Sequence, residues 1–237
     1  MLQAENWMFL TSLTNCSRLL TLALDGNSLN GSLPKSVGNL STNLELLNFR
    51  GNRISETIPA AIGNLVNLTL LNMEQNMLSG TIPSTIGKLR NLVVLSLSKN
   101  KLSGEIPSTI GDLPQLIQLS LDDNLLSGNI PASLGQCQRL NMLNLSVNNL
   151  DGSVPSEILN IFSLSLELDL SNNNLTGTIP PEIGKLIQLV VLNVSSNKLY
   201  GEIPRELGQC ISLSSLQMEG NMLSGIIPQS LNELKSI

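Results

Sequence analysis

The 237-residue sequence contains no histidine, and this absence excludes several kinds of chemistry. Without histidine there is no Ser–His or Cys–His pair to activate a nucleophile, and no histidine-based zinc site. The His-Arg-Asp signature of a protein kinase cannot occur either. The adjacent carboxylates Asp122 and Asp123 are expected to be solvated or to contact a partner. We therefore expect no enzymatic activity, no cofactor and no metal.

Basic residues, aromatic residues and long apolar runs are also scarce. The 13 Lys and Arg are outweighed by 18 Asp and Glu, and this net charge of −5 argues against nucleic acid as a partner. No apolar run approaches the roughly 18 residues of a membrane span, so no membrane contact is expected. Aromatic residues make up 2% of the chain and hydrophobic residues 41%, so the core must be aliphatic.

The amino terminus has neither the basic start nor the apolar segment of a signal peptide. Two interpretations stay open. Either a leader has been removed and Met1 added, or Met1 is the native start and the protein is intracellular.

What the sequence does contain is a repeat. The pattern Leu-x-x-Leu-x-Leu-x-x-Asn, followed by Leu-x-Gly-x-Ile-Pro, returns every 24 or 25 residues, as in residues 92–111. This period and pattern are the signature of a leucine-rich repeat solenoid. We predict an α/β solenoid, a right-handed superhelix with a parallel β-sheet on the concave face and short 3-10 or α turns on the convex face. Residues 1–18 are interpreted as a partial N-terminal repeat. Residues 19–237 are interpreted as about nine 24-residue repeats, with no kinase or membrane segment and with the caps missing.

The asparagine that closes each pattern is expected to turn the chain inward. A buried amide without partners would cost about 1–3 kcal/mol, so each should bond the backbone of its own and the neighbouring loop. The predicted structural ladder consists of Asn27, Asn52, Asn76, Asn100, Asn124, Asn148, Asn173, Asn197 and Asn221.

Several positions depart from the repeat. Residues 41–43 and 161–166 each contain one extra residue, which a bulge or a longer loop can absorb. Glu56 stands where other repeats have a glycine that permits positive φ, so the second strand of that repeat should be weakened. In the other repeats, a glycine follows Ile near the end of the turn, and we expect this glycine to end the turn. Leu159 stands in its place.

The three cysteines, Cys16, Cys137 and Cys210, each lie eleven residues before a ladder asparagine. They therefore occupy one equivalent position in different repeats. Stacked strands lie ~4.8 Å apart, which separates Cys137 from Cys210 by ~14 Å. A disulfide needs Cα atoms within about 7 Å, so we expect no bridge and interpret all three as small buried hydrophobes.

Solenoids bind partners on the concave surface, and the residues between the inward leucines should face solvent there. The expected exposed positions include Ser98, Ser146, Ser171 and Ser195. Acidic residues outnumber basic ones on this face, which favours a partner of basic character, although a salt ladder of little energetic value is the alternative. The predicted partner-binding residues are Asn48, Arg50, Asn72, Glu74, Gln75, Ser96, Lys99, Ser120, Asp122, Asp123, Asn144 and Asp169.

The Leu-x-Gly-x-Ile-Pro segment resembles the plant-specific class of leucine-rich repeats. That class occurs in receptor kinases, receptor-like proteins and polygalacturonase-inhibiting proteins. Residues 7–17 and 165–173 resemble the immune-receptor subfamily of leucine-rich repeat receptor kinases. The resemblance implies a ligand-recognition domain at the cell surface, with a protein or peptide ligand and a coreceptor as a further partner. A secreted hydrolase inhibitor and an intracellular scaffold are the alternatives.

Asn-x-Ser/Thr sequons occur only slightly more often than chance would give in so Asn- and Ser-rich a chain, so they support the secretory pathway weakly. On the strand face, a glycan would block part of the concave surface. The candidate N-glycosylation sites are Asn15, Asn30, Asn39, Asn67, Asn144, Asn174 and Asn193.

Overall fold

The structure, a computed structural model, describes residues 7–234. Residues of the predicted N-terminal and last repeats that fall at 1–6 and 235–237 lie outside the described part. The chain winds into stacked coils, and we name each coil by its ladder asparagine. Parallel three-residue strands, one per coil, form a nine-stranded sheet on the concave face, the inner sheet: Thr21–Ala23, Leu46–Asn48, Leu70–Asn72, Val94–Ser96, Gln118–Ser120, Met142–Asn144, Glu167–Asp169, Val191–Asn193 and Ser215–Gln217.

A second set of short parallel strands follows the ladder asparagines, and we call it the outer sheet. Six strands form one part, and Tyr200–Glu202 pairs with Met222–Ser224 in another. The bridge between Ser153 and Thr176 lies between the two parts. The six strands are Asn30–Ser32, Arg53–Glu56, Met77–Gly80, Lys101–Gly104, Leu125–Asn129 and Asn149–Asp151.

Short 3-10 turns on the convex side complete the coils and confirm the predicted solenoid. Proline, whose fixed φ suits the entry of a helical turn, directly precedes most of them. An α-helix, Met8–Leu13, precedes the first coil. The 3-10 turns are Lys35–Asn39, Ala60–Asn64, Ser84–Lys88, Ser108–Asp112, Ala132–Gln136, Ile158–Asn160, Pro181–Lys185, Arg205–Gln209 and Gln229–Glu233.

One aliphatic core runs the length of the solenoid. In the Asn124 coil, Leu119 and Leu121 are fully buried because they point inward from alternate positions, and Leu116 before the strand is fully buried as well. Each coil buries its apolar face only when neighbouring coils stack on it, which is the general logic of repeat proteins.

The ladder asparagines tie adjacent coils together. The amide nitrogen Nδ2 of Asn124 donates to the carbonyls of Leu121 and Asp122 in its own loop, each at 3.1 Å, and to Leu97 of the preceding coil, also at 3.1 Å. Its Oδ1 accepts from the Leu102 backbone N–H at 3.0 Å. Asn27 differs because it is exposed and bonds only the carbonyls of its own turn.

The glycine of the Ile-Gly pair has a different role from the one predicted. A Cβ built on Gly87 would lie 2.5 Å from the carbonyl oxygen of Thr109 in the next coil, and one on Gly111 would lie 2.3 Å from that of Ser133. Neither glycine has positive φ. The prediction that this glycine ends the turn is therefore wrong, since its lack of a side chain lets neighbouring turns pack closely.

The outer strand that contains Glu56 is formed, so the predicted weakening concerns its stability and stays a prediction. Arg53–Glu56 pairs with the strands on both sides. Glu56 achieves this by adopting a φ of +64°, a left-handed conformation that costs a non-glycine residue roughly 1–2 kcal/mol. The strain falls on one residue, and the hydrogen bonds of the ladder are kept.

Both one-residue insertions are absorbed in loops. Ser41 is buried, and its hydroxyl donates to the Ser17 carbonyl at 2.8 Å and accepts from the Asn43 N–H. Before the inner strand of the Asn173 coil, the N–H groups of Ser165, Leu166 and Glu167 all lie within 3.5 Å of the Asn141 carbonyl oxygen. In a coil without an insertion two N–H groups share one carbonyl, as those of Asn141 and Met142 share the Ile117 carbonyl, so the third donor marks the inserted residue as a bulge.

The turn that contains Leu159 is the irregular one of the series. Leu159 is buried, and the turn, Ile158–Asn160, spans three residues where the other 3-10 turns span five. The Lys185 ammonium of the next turn reaches back to Asn160 Oδ1 at 2.7 Å. A large side chain at the usual glycine position therefore accompanies a shortened turn.

The cysteine prediction is correct for two positions and wrong for the third. Cys137 and Cys210 are fully buried, and burial raises the pKa of each thiol to about 11. Cys16 is exposed. It lies before the first inner strand, where no preceding coil covers it as preceding coils cover Cys137 and Cys210. All three thiols are free.

Candidate functional site

The last residue of each inner strand forms a continuous row across the concave face, which we call the central row. The register pairs Asn48 with Asn72, Asn72 with Ser96, and Ser96 with Ser120. It continues through Asn144 and on along the sheet. The complete central row is Ala23, Asn48, Asn72, Ser96, Ser120, Asn144, Asp169, Asn193 and Gln217.

Three amides of the central row, those of Asn48, Asn72 and Asn144, are half engaged by the fold. Oδ1 of Asn48 accepts the Arg50 backbone N–H at 3.1 Å, and Oδ1 of Asn72 accepts that of Glu74 at 3.0 Å. Within residues 7–234 the amide nitrogens of Asn48, Asn72 and Asn144 have no hydrogen-bond partner. The fold thus positions these three amides and leaves their donors free for a partner.

Four serines expected to be exposed on this face are buried, which corrects the sequence prediction. The carbonyl of Ser98 accepts the N–H of Gln75 at 2.9 Å, so the position lies within the stacked backbone ladder. Long side chains at this position extend into solvent, whereas a serine hydroxyl folds back onto the sheet; that of Ser146 donates to Asn144 Oδ1 at 2.7 Å. The four are Ser98, Ser146, Ser171 and Ser195, all at most 7% exposed.

The charges of the Asn52 to Asn100 coils pair with one another. Glu74 lies 3.4 Å from the Arg50 guanidinium and 3.7 Å from the Lys99 ammonium. Glu74 is the least exposed member, with 19% of its side chain accessible against 53% for each cation. Such pairs contribute little to stability. Their main effect is to neutralise Glu74, which shifts the acidic character of the face towards later coils.

Carboxylates that have no cation of residues 7–234 within salt-bridge distance follow in those coils. Asp122 accepts a hydrogen bond from the buried Ser98 hydroxyl. Burial raises the pKa of Glu167 above its ordinary value, and the nearby charges of Asp169 and Asp122 raise it further. Asp169 also accepts from Asn193 Nδ2 at 3.3 Å. This part of the inner sheet is therefore where a positive charge on a partner would be most favourable.

Three predicted partner-binding residues, Gln75, Lys99 and Asp123, share an unusual backbone. Their φ values are +57°, +55° and +53°. They are exposed and directly precede ladder asparagines, so the turn that inserts the asparagine fixes the direction in which each side chain leaves the sheet. At each of the three positions, the fold requires the left-handed backbone conformation and the side chain remains accessible to a partner.

Sequence reasoning missed an apolar strip beside the central row. The first residues of several inner strands are half-buried aliphatic side chains on the concave face. The signal was present, because aliphatic doublets such as Leu70-Leu71 and Val94-Leu95 place the first side chain outward and the second inward. The strip consists of Leu46, Leu70, Val94, Met142 and Val191.

A shallow groove of about 540 Å³ runs along the edge where the chain enters the inner strands. Side-chain amides line it: Asn67 Nδ2 donates to the Thr42 carbonyl at 2.8 Å, and Asn91 Nδ2 donates to Asn67 Oδ1 at 3.2 Å. Among residues 7–234 no cluster of Cys, Asp and Glu has the arrangement of a metal site. In the same part of the chain, no helix has the length and apolar content to cross a bilayer.

The predicted glycosylation sites fall into two groups. Asn15, Asn30, Asn39 and Asn67 are exposed, whereas Asn144, Asn174 and Asn193 are half-buried. Asn144 and Asn193 lie in the central row of the inner sheet.

Comparison with known proteins agrees with this geometry. The family model described as Leucine Rich Repeat matches residues 18–40, 43–65, 67–89, 91–113, 115–137, 166–186, 188–210 and 212–234. The chain belongs to the leucine-rich repeat family. The longest unmatched interval, residues 138–165, contains the shortened turn.

More particularly, the chain is similar to plant receptor kinases. It is 50% identical over 66 residues to receptor kinase-like protein Xa21 of Oryza sativa subsp. japonica, which covers 28% of this chain and 6% of that protein. The ectodomain of the Arabidopsis receptor kinase HAESA, solved with a peptide hormone ligand, is 38% identical with a TM-score of 0.89, over 95% of this chain and 38% of that one. The chain thus spans well under half the length of these relatives.

The same fold also occurs in a protein with a different binding partner. A plant ice-binding protein is 28% identical with a TM-score of 0.76, over 91% of this chain and 69% of that one. The function must therefore be argued from the residues on the surface, since the solenoid alone does not specify a ligand.

Proposed function

We propose that this chain is the ligand-recognition part of a plant receptor-like kinase, of the kind used in immune or developmental perception. Its ligand is a protein or peptide that lies along the inner sheet. The observation that supports this most directly is the central row, with its fixed side chains and free amide nitrogens beside an apolar strip. Such a surface offers hydrogen bonds to a peptide backbone and shallow apolar contacts to its side chains.

We propose further that the ligand has basic character. Glu74 is neutralised by its two cations, but Asp122, Asp123 and Asp169 have no salt-bridge partner among the described residues. Complementary charge raises the rate of association and discriminates against acidic competitors. A coreceptor is a further partner in this proposal, by analogy with the receptor kinases that the chain resembles, and no catalytic step is assigned.

Selection from a displayed library of random peptides tests the ligand class. The immobilised chain is expected to enrich peptides with net positive charge, and free basic peptide should compete for them. Enrichment of acidic peptides, or of none, would contradict the proposal.

The location of the protein separates the remaining alternatives. We place it at the cell surface, so its mobility from its own tissue should shift after endoglycosidase treatment, with Asn15, Asn30, Asn39, Asn67, Asn144, Asn174 and Asn193 as candidate sites. An unshifted protein in the cytosolic fraction would instead support an intracellular scaffold. Inhibition of cell-wall hydrolases by the purified chain would favour the secreted-inhibitor alternative.

A further inference from the structure

One edge of the solenoid changes character along its length. The residue after the buried side chain that closes each 3-10 turn is exposed in each coil from Val66 to Ile211. At three successive coils it is a large hydrophobic residue: Phe162 is 63% exposed, Ile187 51% and Ile211 62%. We call this set the apolar edge. It is distinct from the inner sheet.

The fold does not require these side chains. The equivalent residues in the three preceding coils are Arg90, Pro114 and Gln138, which are also exposed. Those coils stack in the same way as their neighbours, so neither the turn nor the core depends on an apolar residue here. Large exposed hydrophobic residues in a contiguous row are therefore better explained by an interface than by folding.

Neighbouring side chains extend the apolar edge. Leu166, 48% exposed, and Val190, 37% exposed, lie in the same connecting segments just before the inner strands. The five exposed side chains together present roughly 300–500 Å², in the range of the largest apolar patch on a typical monomer. Residues 161–166, 186–190 and 210–214 contain no charged residue. The patch is therefore neutral on a chain whose net charge is −5.

We propose that the apolar edge is a homodimer interface and that its occupant is the apolar edge of a second copy of this chain. Two neutral patches meet without burying an unpaired charge, which avoids the main electrostatic cost of associating two acidic chains. With a polar rim, the patch reaches about 500–600 Å² per copy, close to the lower limit of a specific interface. The association is accordingly weak and depends on concentration.

The spacing of the row fits a two-fold axis. Phe162 and Ile211 each lie one coil from Ile187, and coils repeat at about 5 Å. A two-fold axis at Ile187 brings Phe162 of one copy against Ile211 of the other, and Ile187 against its own mate. Such an isologous contact closes after two copies and leaves no apolar edge for further growth.

The test is sedimentation equilibrium of the chain and of two variants at the axis, Ile187→Lys and Ile187→Glu. The wild type should show a reversible monomer–dimer equilibrium. Each variant alone should be monomeric, because it places two like charges against each other. An equimolar mixture of the two variants should recover the dimer, because opposite charges then meet at the axis. Recovery by mixing also shows that both variants are folded.

The control is Ile226→Lys, which adds the same charge at an 82% exposed isoleucine in the last coil. This variant should dimerise like the wild type. A wild type that stays monomeric over the whole concentration range would overturn the proposal, even if the apolar edge captured some other protein. A dimer that persists in Ile187→Lys, or that is lost only in Ile226→Lys, would overturn it too, because the contact would then lie elsewhere.

Discussion

The Asn27 coil and the Asn221 coil carry the same repeat at opposite ends of the described chain, yet they bury it differently. Leu29 is fully buried, whereas its equivalent Leu223 is half-buried. In the last coil, Ile226 and Ile227 are 82% and 76% exposed. The leucines of a repeat are therefore not buried by the repeat itself but by what stacks on each side of it.

Trp7 accounts for much of the difference. It is 4% exposed, its indole N–H donates to the Asn30 carbonyl at 3.1 Å, and its ring meets Phe49 edge-on at 5.9 Å. Leu10 of the adjoining helix is fully buried beside it. The indole reaches the first coil at the Asn30 backbone and packs against Phe49 of the second, so an aromatic residue and one helical turn lie where a preceding coil lies elsewhere.

The largest expected effect comes from truncating the matched leucines. Leu29→Ala should lower the free energy of unfolding by about 2–5 kcal/mol, because it leaves a cavity in a fully buried site. Leu223→Ala should cost less than half as much, because its site is partly open to solvent. Urea denaturation measures both. Equal losses would contradict the view that the two ends differ in burial.

The ladder asparagines offer a second comparison. Asn124→Ala should cost at least about 1–3 kcal/mol, since it leaves the Leu102 N–H buried without a partner. Asn27→Ala removes only exposed bonds to the asparagine's own turn and should cost below about 1 kcal/mol. Thermal unfolding of the two variants distinguishes them, and a larger loss for Asn27→Ala would show that the first coil relies on its own turn.

Relief of the backbone strain at Glu56, near the N-terminal coil, should have a smaller effect of opposite sign, a gain in stability. Glu56→Gly is expected to raise stability by about 0.5–1 kcal/mol, because glycine adopts positive φ without penalty but gains entropy when unfolded. The control is Gly80→Ala, whose Cβ would lie 2.9 Å from Thr57 Cγ2 at a φ of +71°. That variant should be destabilised. A destabilised Glu56→Gly would mean that the Glu56 side chain contributes more than its strain.

The smallest expected effect depends on pH. Because the folded-state pKa of Glu167 is raised, the folded chain holds that proton more tightly than the unfolded chain. The stabilising contribution is complete below the unfolded pKa and is lost as pH rises through the folded pKa. Glu167→Gln should therefore raise Tm at pH 7 and leave it nearly unchanged at pH 4. A lowered Tm at pH 7 would indicate a favourable partner for the carboxylate.

The period of the sequence was enough to predict the coils and the residues that share the central row. A fixed repeat with three inward leucines admits one register, since a slip of one residue would turn the leucines outward. The same reasoning could not predict that Ser98 is buried, because that depends on side-chain length at a position inside the ladder.

Contacts between coils were harder to foresee. The close approach of Gly87 to the next turn involves the Thr109 carbonyl of another coil, which the repeat pattern of one unit does not reveal. The apolar edge was missed for a related reason. Phe162, Ile187 and Ile211 lie about 24 residues apart in sequence, and only stacking makes them neighbours.

The measurement that tests the account most directly is titration of a selected basic peptide into the wild type and two triple variants. The account predicts that Glu74→Lys, Asp122→Lys and Asp123→Lys together abolish binding while the circular dichroism spectrum is unchanged. The matched control reverses Glu105, Glu157 and Glu202, three exposed carboxylates outside the inner sheet, and should bind like the wild type. Unchanged affinity in the first variant, or equal loss in both, would contradict recognition by the inner sheet.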